Sequence, residues 1–166
     1  RKKSLLQHTL YKIFWFWLPL RNVAIVTVIS QFTKDNFLKY FSFPEHRIRV
    51  IYDPVKTVFR FSKKEKINAK PRILHIGTSP HKNLNNLIEA ANGLDVHLDI
   101  IAAITDDNRR KLADYNIAYT LYDRLTDEEL YQRYIDCDIL YFASFYEGFG
   151  MPIIEAQAVG RPVITS

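Results

Sequence analysis

From residue 71 onward the chain alternates short β-branched or apolar runs with segments of helical spacing, and no other feature restricts its fold as tightly. "RILHIG" reads as a strand and "NLNNLIEAANG" as a helix stopped by Gly93. "VHLDIIAA" alternates and then runs apolar, "DDNRRKLADY" is polar and helical, and "IAYTLY" is a short strand. "TDEELYQRYID" opens with a capping box, Thr126 to Glu129, and sets Leu130 and Tyr134 on one face. "DILYFAS" is a strand, "PIIEAQAVG" a helix with Pro152 in its first turn and Gly160 after its last, and "PVIT" a final strand. Five strands alternating with four helices predict an open, doubly wound parallel α/β sheet. Ligands of such sheets bind beyond the carboxyl ends of the strands, so the strand-to-helix turns are where functional residues are sought.

The first 70 residues are less regular. "NVAIVTVIS" (22–30) is a β-branched run, "SQFTKDNFLKYF" begins with the capping residues Ser30 and Thr33, and "HRIRVIYDPV" is a second strand, giving a strand–helix–strand unit over 22–55. Before it, Leu6, Leu10, Ile13 and Trp17 recur at helical spacing until Pro19. That run is too short and polar to span a bilayer, and no cleavage site follows it. It reads as a helix packed into its own domain, while its basic, aromatic face also suits anionic lipid. Residues 56–70, "KTVFRFSKKEKINAK", lack periodicity and read as a solvated basic linker. The expected division is therefore 1–55, the tail of a first α/β domain; 56–70, the linker; and 71–166, a Rossmann-like domain.

Charge follows the same division. Residues 1–70 carry a net +11 and residues 71–166 a net −6, for a total of +5. Such asymmetry points the first part towards an anionic partner, with a membrane surface a better fit than nucleic acid, because nothing resembles an RNA-binding signature. Cys137 is the sole cysteine, which excludes an internal disulfide and favours a reducing compartment. His8, His46, His75 and His97 show no metal-ligand spacing. The chain starts at Arg1 and stops within an apolar run, "RPVITS", which reads as a fragment of a longer protein.

Two strand ends carry chemistry. After the first strand of the regular region comes "GTSPHKN": Gly77 can adopt conformations closed to other residues, and His81 and Lys82 stand near a helix start that favours anions. The spacing is neither a Walker A loop nor a dinucleotide fingerprint. After the fourth strand comes "SFYEGFGMPIIEAQAVGRPVITS". Gly148 and Gly150 flank Phe149 at a strand-to-helix turn, where backbone amides can meet a ligand's oxygens. Glu147 and Glu155 lie eight residues apart, and carboxylates accept hydrogen bonds from sugar or ribose hydroxyls.

"EGFGMPIIEAQAVGRPVITS" closely resembles the Glu-x7-Glu segment of family 4 glycosyltransferases, retaining enzymes of the GT-B fold within glycosyl transferases group 1. "ILHIGTSPHKNLNNLIEA", "LTDEELYQRYIDCDILYFAS" and "VTVISQFTKDNFLKYF…RIRVIYDPV" are similar to further parts of that family, so the likeness covers about 22–166. The resemblance implies an incomplete GT-B C-terminal domain preceded by part of an N-terminal, acceptor-side domain. It implies a cytoplasmic enzyme, peripheral at the membrane, that transfers a sugar from a nucleotide-diphosphate donor to a glycan or lipid-linked acceptor. Glu155 would bind the ribose. Glu147 and the amides of Gly148, Phe149 and Gly150 would hold the donor sugar, and the Met151 amide would face the diphosphate. Gly77 would let the donor approach, and Lys82 would neutralise the leaving diphosphate. The departing phosphate would help deprotonate the acceptor, and neither metal nor cofactor is expected. The chain by itself is expected to be inactive.

Departures from the family pattern accompany the likeness. Thr78 and Ser79 follow Gly77 where the family often has Arg. Ala102-Ala103-Ile104 and Asp123 stand where it has glycines, and Asp53-Pro54 replaces the usual hinge. The donor base stays open among UDP, GDP and ADP. A sugar-nucleotide epimerase or phosphorylase of the same fold, and a non-catalytic nucleotide-binding module, stay open as alternatives. Asp136-Cys137-Asp138 mimics the metal-binding Asp-x-Asp of other glycosyltransferases, but it falls at the strand's entry, opposite the ligand end.

Overall fold

The computed structural model describes Gln7, Leu10, Tyr11 and residues 13–166, which fall into two units divided between Asp53 and Pro54. Leu6, of the helix expected first, lies outside the described residues. In the first unit a π-helical turn, Ile13–Trp17, leads into α1 (Leu18–Asn22). Helix therefore continues past Pro19 rather than ending there. Proline is tolerated in the first turn of α1, where its missing N–H has no partner to lose, and the widened turn precedes it. The Val23 N–H then closes the helix on the Pro19 carbonyl at 3.1 Å.

Helix thus occupies the start of the strand expected over 22–30, and the strand itself, β1, is limited to Val26–Val28. Helix α2 (Gln31–Tyr40) follows, with the Ser30 hydroxyl accepting the Thr33 N–H at 3.0 Å as its N-cap. β2 (Ile48–Val50) pairs with β1 in parallel, Val26 against Ile48 and Val28 against Val50. Val28, Phe43 and Ile48 form the buried centre of this unit, and Arg47 ties it by donating to the Val23 and Ala24 carbonyls. Among the described residues no helix is long and apolar enough to cross a membrane.

The second unit has the expected alternation: β3 (Arg72–Ile76), α3 (Leu84–Ala91), β4 (His97–Ile101), α4 (Asp106–Asp114), β5 (Ala118–Tyr122), α5 (Asp127–Asp136), β6 (Ile139–Phe142), α6 (Met151–Val159) and β7 (Val163–Thr165). All five strands are parallel, in the order β5-β4-β3-β6-β7. This is a Rossmann-like, doubly wound sheet whose order reverses between β3 and β6, so the ligand crevice opens at their carboxyl ends. One core, with Leu87, Ile88, Leu98, Ile100 and Leu112, lies under α3 and α4. The other, with Leu74, Tyr134, Leu140, Ala156 and Val159, lies under α5 and α6. Capping boxes start α4 (Thr105 with Asn108) and α5 (Thr126 with Glu129).

The solvated linker expected over 56–70 is instead a strap bound to this unit. Phe59 is 5% exposed, with its ring edge-on to Tyr134 at 5.7 Å. Lower down, the Ser62 N–H reaches the Val159 carbonyl. Lys64 donates to the Asp136 and Cys137 carbonyls at 2.8 Å and pairs with Asp138 at 3.0 Å. The strap has no periodicity because its residues follow a groove between helices rather than one face of a regular element.

Candidate active site

Gly77 ends β3 with φ +88°, and its N–H is bound to the Ile101 carbonyl at 2.9 Å. A Cβ at this position would lie 3.2 Å from Lys82 Cγ and 3.3 Å from its Cε. The glycine thus serves two ends: it takes a backbone conformation that other residues resist, and it leaves room for the lysine stem to cross it. Lys82 closes a 3-10 turn (Pro80–Lys82), and Asn83, left-handed at φ 61°, starts α3 while its amide donates to the Ala143 carbonyl at 3.1 Å. The Phe145 N–H meets the His81 carbonyl at 2.8 Å. The turns after β3 and β6 are therefore stitched together.

Across that seam Lys82 Nζ donates to Glu147 Oε1 at 2.5 Å, with both side chains mostly covered, and the ammonium lies 5.2 Å from the centre of the Phe142 ring. Burial pushes the Glu147 carboxyl up, but hydrogen bonds from Lys82 and Ser144, with the charge of Lys82, outweigh it and hold the group below its ordinary range. Gly148 and Phe149 form the turn that follows, each half-buried. Gly150, with φ +88°, is the N-cap of α6, and a Cβ there would stand 3.3 Å from Ile153 Cδ1. Met151 and Pro152 form the first turn of the helix, whose positive end follows shortly after Glu147 in the chain, at the carboxyl edge of the sheet.

Glu155 stands in a different setting. It is 8% exposed on α6, and the hydroxyl of the fully buried Tyr134 donates to its Oε2 at 2.8 Å. Burial raises its carboxyl above the ordinary value, with Asp127 adding to the rise. The Tyr134 hydrogen bond and the charge of Lys56 oppose it. Lys56 comes from the strap and binds both oxygens of Asp127 at 2.8 Å, at the head of α5. The two carboxylates of the Glu-x7-Glu segment are thus engaged by different partners and set to different proton affinities. That arrangement suits binding of separate ligand groups better than the opposed acid pair of a hydrolase.

The neighbouring strand ends are strained where glycine is absent. Ala102 after β4 has φ 143° and Arg124 after β5 has φ 51°. Left-handed geometry at such residues costs about 1–3 kcal/mol each and concentrates where ligands bind. The Ala102 N–H holds the Tyr122 carbonyl and Thr78 Oγ1 donates to the Ala103 carbonyl, so these loops are bonded to one another.

At the opposite edge, Asp138 accepts the Asn68 N–H at 3.1 Å, the Asn68 amide at 2.7 Å and the Arg72 N–H at 2.8 Å. Burial alone would raise its carboxyl, but these donors and Lys64 hold it low. The Asp-x-Asp look-alike is a latch for the strap, and among the described residues no group of three His, Cys, Asp or Glu side chains could hold a metal ion. His75 is 2% exposed, and burial lowers its imidazole to about 4. The Tyr141 and Gly77 carbonyls approach the ring without hydrogen-bond geometry, and both ring nitrogens are unpartnered.

The sequence does not single out Tyr134, Ser144 or Lys56 as parts of this region. Helical spacing marks Tyr134 only as core-facing, and the strap that delivers Lys56 carries no periodic signal.

A doubly wound parallel sheet with a cation–carboxylate pair at its switch point has the layout of a ligand-binding α/β domain. Residues 58–166 match the glycosyl transferases group 1 family, and the chain belongs to that family. It is 31% identical over 164 residues to the O-antigen chain mannosyltransferase RfbU of Salmonella typhimurium, covering 94% of this chain and 46% of that protein. The O-antigen chain mannosyltransferase B of Escherichia coli is 26% identical, with 89% and 44% covered. The chain thus spans about half the length of the curated relatives it matches. In fold it is similar to Anabaena HepE, solved with UDP and glucose, at a TM-score of 0.77 and 18% identity over 89% of this chain and 46% of that one. Staphylococcus aureus TarM gives a TM-score of 0.71 at 22% identity over 88% of this chain and 30% of that one.

Proposed function

We propose that the chain carries the donor-binding side of a retaining, family 4 type glycosyltransferase that moves a mannosyl group from a nucleoside diphosphate sugar to a glycan or lipid-linked acceptor. The observation that carries this reading is the meeting of Lys82 and Glu147 at 2.5 Å beyond the switch point of a parallel sheet, 65 residues apart in sequence. Family membership supports the reaction class, the eight-residue step from Glu147 to Glu155 supports the family 4 assignment, and the names of the bacterial relatives support mannose.

In this mechanism the donor's diphosphate takes over the Lys82 ammonium from Glu147, while the Gly148, Phe149 and Gly150 amides and Glu147 hold the sugar. Glu155 accepts hydrogen bonds from the ribose. The bond between the sugar's anomeric carbon and the diphosphate oxygen breaks as a bond to the acceptor oxygen forms on the same face. The acceptor's proton passes to the departing phosphate oxygen. Charge growing on that phosphate is met by Lys82 and by the positive end of α6, with the Met151 amide foremost, so neither a separate strong base nor a metal ion enters the scheme. The positive charge of the first unit suits an acceptor held at an anionic cytoplasmic membrane face.

The test is to incubate the full-length chain with mannose diphosphate donors of guanine, uracil and adenine and a lipid-linked glycan. NMR then gives the anomeric configuration of the product. Transfer with the donor's configuration kept supports the reading. Inverted product, an epimerised donor or free sugar alone overturns it.

A further inference from the structure

The Tyr134–Glu155 contact has a property that simple core packing does not need. Tyr134, on α5, is wholly buried against α6 and the strap, and its hydroxyl meets one carboxylate oxygen of Glu155 at 2.8 Å, with the Pro152 carbonyl in the first turn of α6 a longer 3.4 Å away. Among the described residues the other oxygen, Oε1, has no hydrogen-bond partner. A buried carboxylate held by one rigid donor presents its second oxygen in a fixed direction, and an aromatic hydroxyl locked by packing supplies such a donor at little entropic cost.

We infer that Tyr134 is a positioning residue: it orients the Glu155 carboxylate so that Oε1 faces the ribose hydroxyls, and so makes the site selective for ribonucleotides over deoxyribonucleotides. This rests on the reading of Glu155 as the ribose ligand. Burial of Tyr134 beside the Glu155 charge raises its phenol, so the hydroxyl stays a donor throughout the working range. The groups facing Glu155 are Tyr134 and Asp127 from α5 and Lys56 from the strap. Of these Tyr134 alone touches it, and its hydrogen bond lowers a carboxyl that burial raises. Removing the hydroxyl therefore moves loss of ribonucleotide binding to a higher pH, because Glu155 then protonates sooner.

The experiment is calorimetry on the full-length chain with whichever of UDP, GDP and ADP it binds most tightly, and with the 2′-deoxy form of that nucleotide, from pH 5 to 8. Wild type is expected to prefer the ribonucleotide and Glu155→Gln to lose the preference. Tyr134→Phe is expected to weaken ribonucleotide binding about tenfold, leave the deoxy form within about twofold, and shift the acid limb upward. With 3-fluorotyrosine placed at position 134, the more acidic hydroxyl donates more strongly and the acid limb moves downward in an intact fold. Equal weakening of both nucleotides by Tyr134→Phe, or an acid limb unmoved by the fluorinated residue, overturns the role of Tyr134 while Glu155→Gln still shows its effect. A preference that survives Glu155→Gln overturns the ribose reading and this inference with it.

Discussion

Lys82 and Glu147 form a partly covered ion pair, so in the proposed site a donor diphosphate would compete with a carboxylate for the ammonium. If Lys82 meets the charge growing in the transition state, as proposed, substituting it by Met removes that group. It is expected to lower kcat about 10²–10³-fold in the full-length chain, with a smaller change in KM, as steady-state kinetics will show. His75 acts on stability instead. Its folded-state value of about 4 lies below the ordinary 6.5, so the folded chain favours neutral imidazole. The contribution is full above pH 6.5 and fades as pH falls from there to about 4, by about 3 kcal/mol in all. Denaturant melts at stepped pH are expected to show this decline and to show it flattened in His75→Leu. An equally steep decline in the variant assigns the loss to other groups. At this scale the sequence is legible where a residue sits in a turn motif: Glu147, Gly150 and Lys82 lie at the strand ends where the pattern puts them, and Lys82 and Glu147 meet. It is silent where a partner comes from another helix, as Tyr134 does, because spacing within one helix says nothing of what its buried face meets.

The elements from β3 to β7 follow from local patterning: strands are short and largely apolar, capping boxes start α4 and α5, and Gly160 at φ 83° ends α6. The strap does not, because its order comes from tertiary contacts. Arg161 shows how. Buried and, among the described residues, without a carboxylate partner, it donates to the Tyr134, Ile135, Val159 and Ser62 carbonyls, joining the ends of α5 and α6 to the strap. If the strap is structural, Phe59→Ala destabilises the protein by about 3–5 kcal/mol. Asp138→Ala, which removes the carboxylate that pairs with Lys64 and accepts the Asn68 N–H, the Asn68 amide and the Arg72 N–H, costs about 3 kcal/mol. Asp127→Ala, at the exposed Lys56 pair, costs little. Chemical denaturation of the three variants tests the ranking, and a solvated linker would leave Phe59→Ala near wild type. The short β1 and the helix running past Pro19 were likewise unreadable, since a β-branched run does not reveal how many of its residues find a pairing partner.

Across the whole molecule the strap also redistributes charge. The sequence splits at residue 70 into parts of +11 and −6, but the structural division falls after Asp53. Residues 1–53 hold nine Lys and Arg against three Asp and Glu, a net +6, and residues 54–166 come to −1. Much of the apparent polarity is internal pairing: Lys56 with Asp127, Lys64 with Asp138, and Lys70 with Asp95. The first unit remains the seat of the excess, and its exposed Phe14, Trp15 and Trp17, with Arg21 stacked 4.4 Å over Trp17, combine the residue types that favour a membrane interface. If the acceptor is held at an anionic bilayer, the full-length chain should sediment with vesicles containing phosphatidylglycerol. It should sediment less with phosphatidylcholine alone, and the difference should shrink as salt rises from about 0.05 to 0.5 M, where screening shortens to a few ångströms. Substituting Arg21, Lys34 and Lys39 together by Gln should lower binding to the anionic vesicles and leave nucleotide binding unchanged, since none of the three lies in the second unit. Equal sedimentation with both lipids at low salt would remove the electrostatic basis for placing the acceptor there, while leaving the nucleotide site to be judged by its own tests.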